Sequence, residues 1–172
     1  LELCIGVRPQ TLANTRLAIG IDVNCMTIEH FSGDVLVVTE VHGLARKIAC
    51  CFATGVVLSH LLPGEQLYRP DLPFKLMFES FGVNMGLLKE RVLLRDAVLV
   101  GAGGIANGFA WGLEELDVYG QLDLVDPKAV SPGNLNRCLL FTDRDVGENK
   151  AVALAQNMRC PNLLISPFAG EF

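Results

Sequence analysis

Residues 97–106 read Ala-Val-Leu-Val-Gly-Ala-Gly-Gly-Ile-Ala, and this stretch decides the fold. Its first four residues form an apolar run typical of a β-strand, and the next six fit the pattern G-x-G-x-x-G/A. A helical pattern over 104–116, a second strand over 121–125 and then Asp126 follow. This order predicts a mononucleotide-binding βαβ half, in which the acid at the tip of the second strand can bond ribose hydroxyls.

The small residues of the glycine turn, residues 101–106, each have a predicted physical role. Gly101 allows the tight turn, Gly103 lets the backbone approach a phosphate, and Ala106 lets the helix pack on the sheet. Gly104 begins the helix, whose N-terminus offers unpaired N–H groups and about half a positive charge. We therefore predict that Gly101, Gly103 and Gly104 bind a nucleotide. The alternative is a plain tight turn between a strand and a helix.

A long polar connection follows Asp126, and we call residues 126–149 the connecting loop. A dehydrogenase would run from its acid directly into another βα unit. This chain instead places Asn134, Asn136, Arg137 and Lys150 in one long connection. Loops of this length are usually functional or disordered. The fork of an arginine and the point charge of a lysine, folded over a glycine turn, would suit a triphosphate better than the pyrophosphate of NAD.

Residues 98–158 resemble the ThiF/MoeB/HesA adenylyltransferases, which are related to ubiquitin-activating enzymes. The resemblance rests on Gly-Ala-Gly-Gly-Ile at 101–105, Leu-Val-Asp-Pro at 124–127, Asn-Leu-Asn-Arg at 134–137 and Asp-Val-Gly-Glu-Asn-Lys-Ala at 145–151. The spacings from Asp126 to Arg137 and to Lys150 also match the pattern of that family.

The resemblance implies an ATP site. It assigns Asp126 to the ribose and Asn134, Arg137 and Lys150 to the phosphates, with Asn136 as a further nucleotide-binding residue and with Arg137 and Lys150 as the catalytic residues. The implied reaction is attack of a protein C-terminal glycine carboxylate on the α-phosphate, which gives an acyl-adenylate and pyrophosphate. Chemistry of that kind depends mostly on positioning and charge stabilisation. The implied partners are a ubiquitin-like or sulfur-carrier protein and a second subunit, in a homodimer or a heterodimer.

The sequence departs from the family at several positions. Ala106, Asn107, Lys128 and Cys138 stand where Gly, a small Ser or Cys, a second acid, and Gln or an aromatic residue are usual. The family's magnesium-binding Asp lies beyond its third strand, which we expect here at 162–165. We therefore expect the Mg ligand beyond the end of this chain and predict no metal ligand within it. The zinc CxxC pairs and the thioester cysteine of the family would lie further on, so we interpret the chain as a fragment of an activating enzyme.

Composition limits the partners and the compartment. The formal net charge is −5, without a basic run, which disfavours a nucleic-acid partner. The longest apolar stretch, residues 48–59, is too short to span a bilayer. No signal peptide opens the chain, so we predict a cytoplasmic protein.

Six cysteines without a CxxC pair predict reduced, mostly buried thiols, with Cys138 as a small filler in the loop.

The predicted fold class is α/β, with a Rossmann-like nucleotide-binding parallel sheet over residues 93–172 and a smaller α+β region over 1–92. In that first region we predict short strands at 1–6 and 17–22 and a hairpin with arms at 25–31 and 35–40. A buried helix at 43–62 then ends at Pro63-Gly64.

Three functions stay open from the sequence. The first is ATP-dependent adenylylation of a carrier protein. The second is a non-catalytic scaffold half of the same fold, which pairs with an active subunit, as the substitutions at Ala106, Lys128 and Cys138 would allow. The third is an NAD-binding oxidoreductase domain, for which no hydride-transfer site is visible.

Overall fold

The computed structural model describes residues 2–5, 16–22, 24–30, 41–62, 71–82 and 84–171. It divides into two compact units, Leu1–Leu88 and Lys89–Phe172. The domain boundary proposed between residues 92 and 93 stays a prediction, although this division falls close to it.

The first unit contains a four-stranded sheet. Its strands, in spatial order, are β1 (Glu2–Ile5), β2 (Arg16–Ile21), β3 (Cys25–His30) and β4 (Phe74–Met77). β1 and β2 are parallel, whereas β3 is antiparallel to both of its neighbours. Leu17, Met26 and Ile28 are fully buried in the core of this unit. β3 is the first arm of the predicted hairpin, and the second arm at 35–40 lies outside the described residues.

Helix α1 (Gly43–Leu61) begins after His42, whose Nδ1 accepts the N–H of Leu44 at 3.2 Å. The sequence predicts a buried helix at 43–62, and the structure buries one side of the helix and exposes the other. The buried side carries Ala45, Ala49, Ala53 and Val56, and the exposed side carries Cys50, Cys51, Leu58 and Leu61. Alanines repeating every four residues define one helical face. Within the described ranges, no helix is long and apolar enough to cross a bilayer.

The second unit contains a three-stranded parallel sheet in the order β5 (Val92–Val100), β6 (Val118–Val125), β7 (Leu163–Phe168). Helix α2 (Gly104–Leu113) joins β5 to β6. The connecting loop and helix α3 (Lys150–Asn157) join β6 to β7. Ala106, Ala110, Leu122, Leu124 and Leu154 belong to one buried cluster between helices and sheet. The predicted α/β class with a Rossmann-like parallel sheet is confirmed.

Several predicted element bounds are wrong. β5 begins at Val92 instead of 97, and β6 begins at Val118 instead of 121. The first half of β5 lacks a continuous apolar pattern in the sequence, because a β-bulge lies between Leu94 and Ala97. Asp96 within this bulge is polar and has φ +50°. Gly120 similarly interrupts the apolar pattern of β6. The other differences are that α2 ends at Leu113 rather than 116, and that β7 covers 163–168 rather than 162–165.

Candidate nucleotide-binding site

The glycine turn connects the end of β5 to the start of α2. Gly101 has φ +85°, a backbone conformation that favours glycine, and its N–H donates to the carbonyl oxygen of Val125 at 2.7 Å. Gly103 is the N-cap residue of α2, and the helix has no side-chain cap. A Cβ added at Gly103 would have no atom within 4 Å. The turn therefore leaves open space in front of an uncapped helix N-terminus, which is the arrangement that favours an anion.

Asp126 follows β6 directly, and its side chain is 7% exposed. Its Oδ2 accepts the N–H of Ala102 at 2.8 Å, and its Oδ1 accepts the N–H of Lys128, also at 2.8 Å. Its own N–H donates to the carbonyl oxygen of Phe168 at 3.2 Å. An ionised carboxylate has about four lone-pair positions, so two backbone donors leave acceptor capacity for a ligand. Asp126 thus links the glycine turn, the connecting loop and the end of β7.

Backbone hydrogen bonds close the connecting loop at its base. The N–H of Val130 donates to Glu148 O at 2.8 Å, and the N–H of Gly147 donates to Val130 O at 3.0 Å. Lys150 N–H donates to Lys128 O at 2.9 Å. These bonds bring Lys150, the first residue of α3, back to the segment that starts with Asp126, so these two predicted site residues lie on adjoining segments.

Asn149 strengthens this closure, and we assigned it no role from the sequence. Its Nδ2 donates to Asp126 O at 2.8 Å, while its Oδ1 accepts the N–H groups of Ala151 at 2.9 Å and Val152 at 3.2 Å. Asn149 is therefore the N-cap of α3, and its side chain also joins the two ends of the connecting loop by a hydrogen bond. An asparagine immediately before a helical pattern is an N-cap signal, so the first of these roles was readable in the sequence.

The middle of the loop contains the other predicted phosphate-side residues. Asn134 is 6% exposed, and its Oδ1 accepts the N–H of Ser131 at 2.9 Å. Arg137 is exposed, and its Nη1 donates to Gly133 O at 2.6 Å and to Asn136 Oδ1 at 3.0 Å. In these contacts Asn134 and Asn136 shape the loop itself. The nucleotide-binding roles of Asn134, Asn136, Arg137 and Lys150 stay predictions.

The main chain of the loop lies against the glycine turn. A Cβ added at Gly104 would be 3.3 Å from the carbonyl oxygen of Arg137, tighter than ordinary van der Waals contact. A side chain at position 104 would therefore press on the main chain of the connecting loop. This contact places the backbone of Arg137 beside the N-terminus of α2.

A cleft of about 340 Å³ adjoins the turn, within the size range of small-molecule sites. It is lined by Leu99, Val100, Gly101, Gly103, Gly104, Ile105 and Ala106. Ile105 is 94% exposed at the first turn of α2. The first turn of α2 itself contains no acidic residue.

Among the cysteines whose side chains the structure describes, Cys25, Cys138 and Cys160 are buried, and Cys50 and Cys51 are exposed. Cys138 is 2% exposed and belongs to the buried cluster of the second unit, as expected for a filler. Among the residues that the structure describes, no group of three or more His, Cys, Asp and Glu side chains could hold a metal ion.

A model of the ThiF family matches residues 75–167, which is more than half of the sequence. The chain belongs to the ThiF family. It is 31% identical over 116 residues to the adenylyltransferase and sulfurtransferase MOCS3 of Arabidopsis thaliana, covering 66% of this chain and 23% of that protein. It is 38% identical over 68 residues to the NEDD8-activating enzyme E1 catalytic subunit of Saccharomyces cerevisiae, covering 38% of this chain and 23% of that protein. The chain thus spans about a quarter of the length of these curated relatives.

Solved structures of similar proteins include two that were determined with ATP. The Escherichia coli tRNA N6-threonylcarbamoyladenosine dehydratase TcdA is 25% identical with a TM-score of 0.39, covering 47% of this chain and 32% of that chain. The E. coli protein MccB is 22% identical with a TM-score of 0.40, covering 90% of this chain and 55% of that chain.

Proposed function

We propose that this chain binds ATP at the glycine turn and contributes part of a site for adenylylation. The proposed substrate is the C-terminal glycine carboxylate of a ubiquitin-like or sulfur-carrier protein. Membership of the ThiF family supports this reaction class, and so do the relatives named as an adenylyltransferase and as a NEDD8-activating subunit. In this reaction a carboxylate oxygen bonds to the α-phosphorus of ATP, and pyrophosphate leaves.

The observation that carries the proposal is the hydrogen bond from Ala102 N–H to Asp126 Oδ2. It holds an acceptor-only carboxylate beside the donor-rich N-terminus of α2. A ribose presents hydroxyl donors, and a phosphate presents acceptor oxygens, so this pair complements both parts of a nucleotide. The open space at Gly103 supports a close approach of phosphate to the backbone.

The positive side chains supply the remaining electrostatics of the proposed site. We assign Arg137 to bidentate binding of phosphate oxygens and Lys150 to neutralising charge as a point donor. Preorganised donors of this kind stabilise charge that develops in a transition state. Asn134 and Asn136 would contribute by shaping the loop that presents Arg137 and by bonding phosphate oxygens. We also propose a second subunit, in a homodimer or heterodimer, which light scattering would detect.

Calorimetric titration of ATP and of NAD into the full chain tests the nucleotide assignment. The informative variants are Asp126→Ala, Arg137→Ala and Lys150→Ala. Asp123→Ala, on the same strand, and Arg144→Ala, an exposed arginine of the same loop, are matched controls. We expect ATP to bind more tightly than NAD and each site variant to weaken ATP binding roughly 10- to 100-fold, as loss of a charge-assisted contact predicts. The controls should bind like the wild type.

Binding of NAD alone would overturn the proposal in favour of an oxidoreductase domain. Binding of neither nucleotide would favour a scaffold half that pairs with an active subunit. If ATP binds, exchange of labelled pyrophosphate into ATP, dependent on a carrier protein that ends in glycine, tests the reaction itself. Exchange that does not depend on the terminal glycine would contradict the proposed substrate.

A further inference from the structure

Asn107, in α2, has a fully buried side chain with 0% exposed. Its Nδ2 donates to Ala102 O at 3.2 Å and to Gly103 O at 3.0 Å, and its Oδ1 accepts the N–H of Leu140 at 3.0 Å. Two carbonyl acceptors and one donor fix which end of the amide faces each partner. A buried amide without such partners would be costly, so these contacts explain why an asparagine is tolerated at this position.

The peptide groups of Leu140 are held from two helices. Its N–H is bound by Asn107 of α2, across 33 residues of sequence. Its carbonyl oxygen accepts a hydrogen bond from Nδ2 of Asn157, the last residue of α3, at 2.8 Å. Because both helices pack on the same sheet, Leu140 becomes a fixed point of the connecting loop.

Arg137 lies three residues before this fixed point. A tight turn over residues 138–141 includes Leu140: the N–H of Phe141 donates to Cys138 O at 3.1 Å, and the side chains of Cys138 and Phe141 are both buried. The carbonyl oxygen of Arg137 in turn contacts the glycine turn at Gly104. A displacement of Leu140 would therefore be passed along a short, anchored segment to Arg137.

We propose that Asn107 is a positioning residue for nucleotide binding, which sets Arg137 relative to the glycine turn through Leu140. The effect on ATP binding rests on the proposed function. Asn107 bonds the turn with its nitrogen and the loop with its oxygen, so one side chain joins the two parts of the proposed site. A serine or cysteine at 107 is too short to hold all three partners and would leave the loop untied.

The test is a double-mutant cycle on the affinity for ATP, measured by calorimetry on the full chain. It compares the wild type, Asn107→Ser, Arg137→Ala and the double variant. We expect Asn107→Ser to weaken ATP binding roughly tenfold, as the loss of a buried hydrogen bond at the site implies, and Arg137→Ala to cost much less in that background than in the wild type. Asn162→Ser is the matched control, because the Asn162 amide donates to Asp117 Oδ1 at an exposed position away from the turn. The control should keep the wild-type affinity and the full effect of Arg137→Ala.

Additive losses in a chain that binds ATP would overturn the positioning role and leave the proposed function standing. Failure of the wild type to bind ATP would overturn the proposed function. Hydrogen exchange at the Leu140 amide would then decide whether Asn107 holds the loop: faster exchange in Asn107→Ser supports it, and equal rates overturn it. If Asn107→Ser does not fold, Asn157→Ser replaces it in the cycle, because it removes the hydrogen bond to the Leu140 carbonyl oxygen. Additive losses of ATP affinity in that cycle would again overturn the inference.

Discussion

The carboxylate of Asp126 accepts the backbone N–H of Ala102 at 2.8 Å, across 24 residues of sequence. The same carboxylate accepts the N–H of Lys128 through its other oxygen. One side chain therefore fixes the glycine turn and the first residues of the connecting loop together. This gives Asp126 a structural role that is separate from any contact with a ribose.

Replacing Asp126 by asparagine tests that structural role. The amide offers one acceptor oxygen, so one of the two backbone N–H groups would face an NH₂ group instead. We expect Asp126→Asn to lower the free energy of unfolding by about 1–3 kcal/mol, the usual cost of an unsatisfied buried donor. Urea denaturation of the full chain measures it. Asp123→Asn, on the same strand, should change the free energy of unfolding far less, and equal effects of the two substitutions would contradict our assignment.

Gly120 is required by the close pairing of β5 and β6. It has φ +108°, and a Cβ added there would overlap the carbonyl oxygen of Leu94. Gly120→Ala combines backbone strain with a clash against main chain, so we expect a loss of roughly 2–4 kcal/mol in the free energy of unfolding.

Gly108→Ala is the matched control for that experiment. Gly108 lies within α2, and a Cβ there would meet nothing within 4 Å. Removing a glycine from a helix interior should stabilise the protein by about 0.5–1 kcal/mol. Thermal unfolding of both variants would show opposite shifts in Tm, and a neutral Gly120→Ala would disprove the close approach of Leu94.

Asp145 makes part of the stability depend on pH. Burial acts to raise the pKa of the Asp145 carboxyl, but hydrogen bonds from the Thr142 N–H, the Thr142 hydroxyl and the Asn157 amide outweigh it and lower that pKa below its ordinary value of 3.8. A folded-state pKa below the unfolded one stabilises the fold above the unfolded pKa. That contribution is lost as the pH falls through the folded pKa.

We therefore expect Asp145→Asn to destabilise the chain at neutral pH and the difference from the wild type to shrink below about pH 4. Urea denaturation at a series of pH values measures this difference. Asp143→Asn, at the exposed start of the same short 3₁₀ turn (Asp143–Asp145), should stay within about 0.5 kcal/mol of the wild type. A difference for Asp145→Asn that stays constant down to acid pH would rule out the proposed linkage.

The sequence predicted the parts of the fold whose signals are local. The glycine turn and the acid after β6 follow from residue types at short spacing, and the parallel sheet follows from their order. The beginnings of β5 and β6 could not be read in the same way. Asp96 and Gly120 break the apolar pattern, and only the pairing of the two strands explains why they are tolerated.

The candidate site shows the same division. Asp126 and Arg137 could be singled out from a family resemblance, because their residue types and spacings are distinctive. Asn107 could be noticed only as a departure from the usual pattern, since its partner Leu140 is 33 residues away in the sequence. Long-range hydrogen bonds of a buried amide have no periodicity that a sequence would display.

Asn149 combines two roles that a pair of substitutions can separate. Its Oδ1 caps α3, and its Nδ2 donates to Asp126 O across the base of the connecting loop. Serine keeps an N-cap acceptor but lacks the amide donor, whereas alanine lacks both. We expect the free energy of unfolding to fall by about 1 kcal/mol for Asn149→Ser and by about 2 kcal/mol for Asn149→Ala. Urea denaturation ranks the free energies of unfolding of the two variants. Hydrogen exchange at the Lys150 backbone N–H, which donates to Lys128 O, measures the closure of the loop separately.

If Asn149→Ser matched the wild type in both measurements, the cap alone would account for Asn149. Faster exchange at Lys150 in both variants would instead show that the amide closes the loop on which Arg137 is presented.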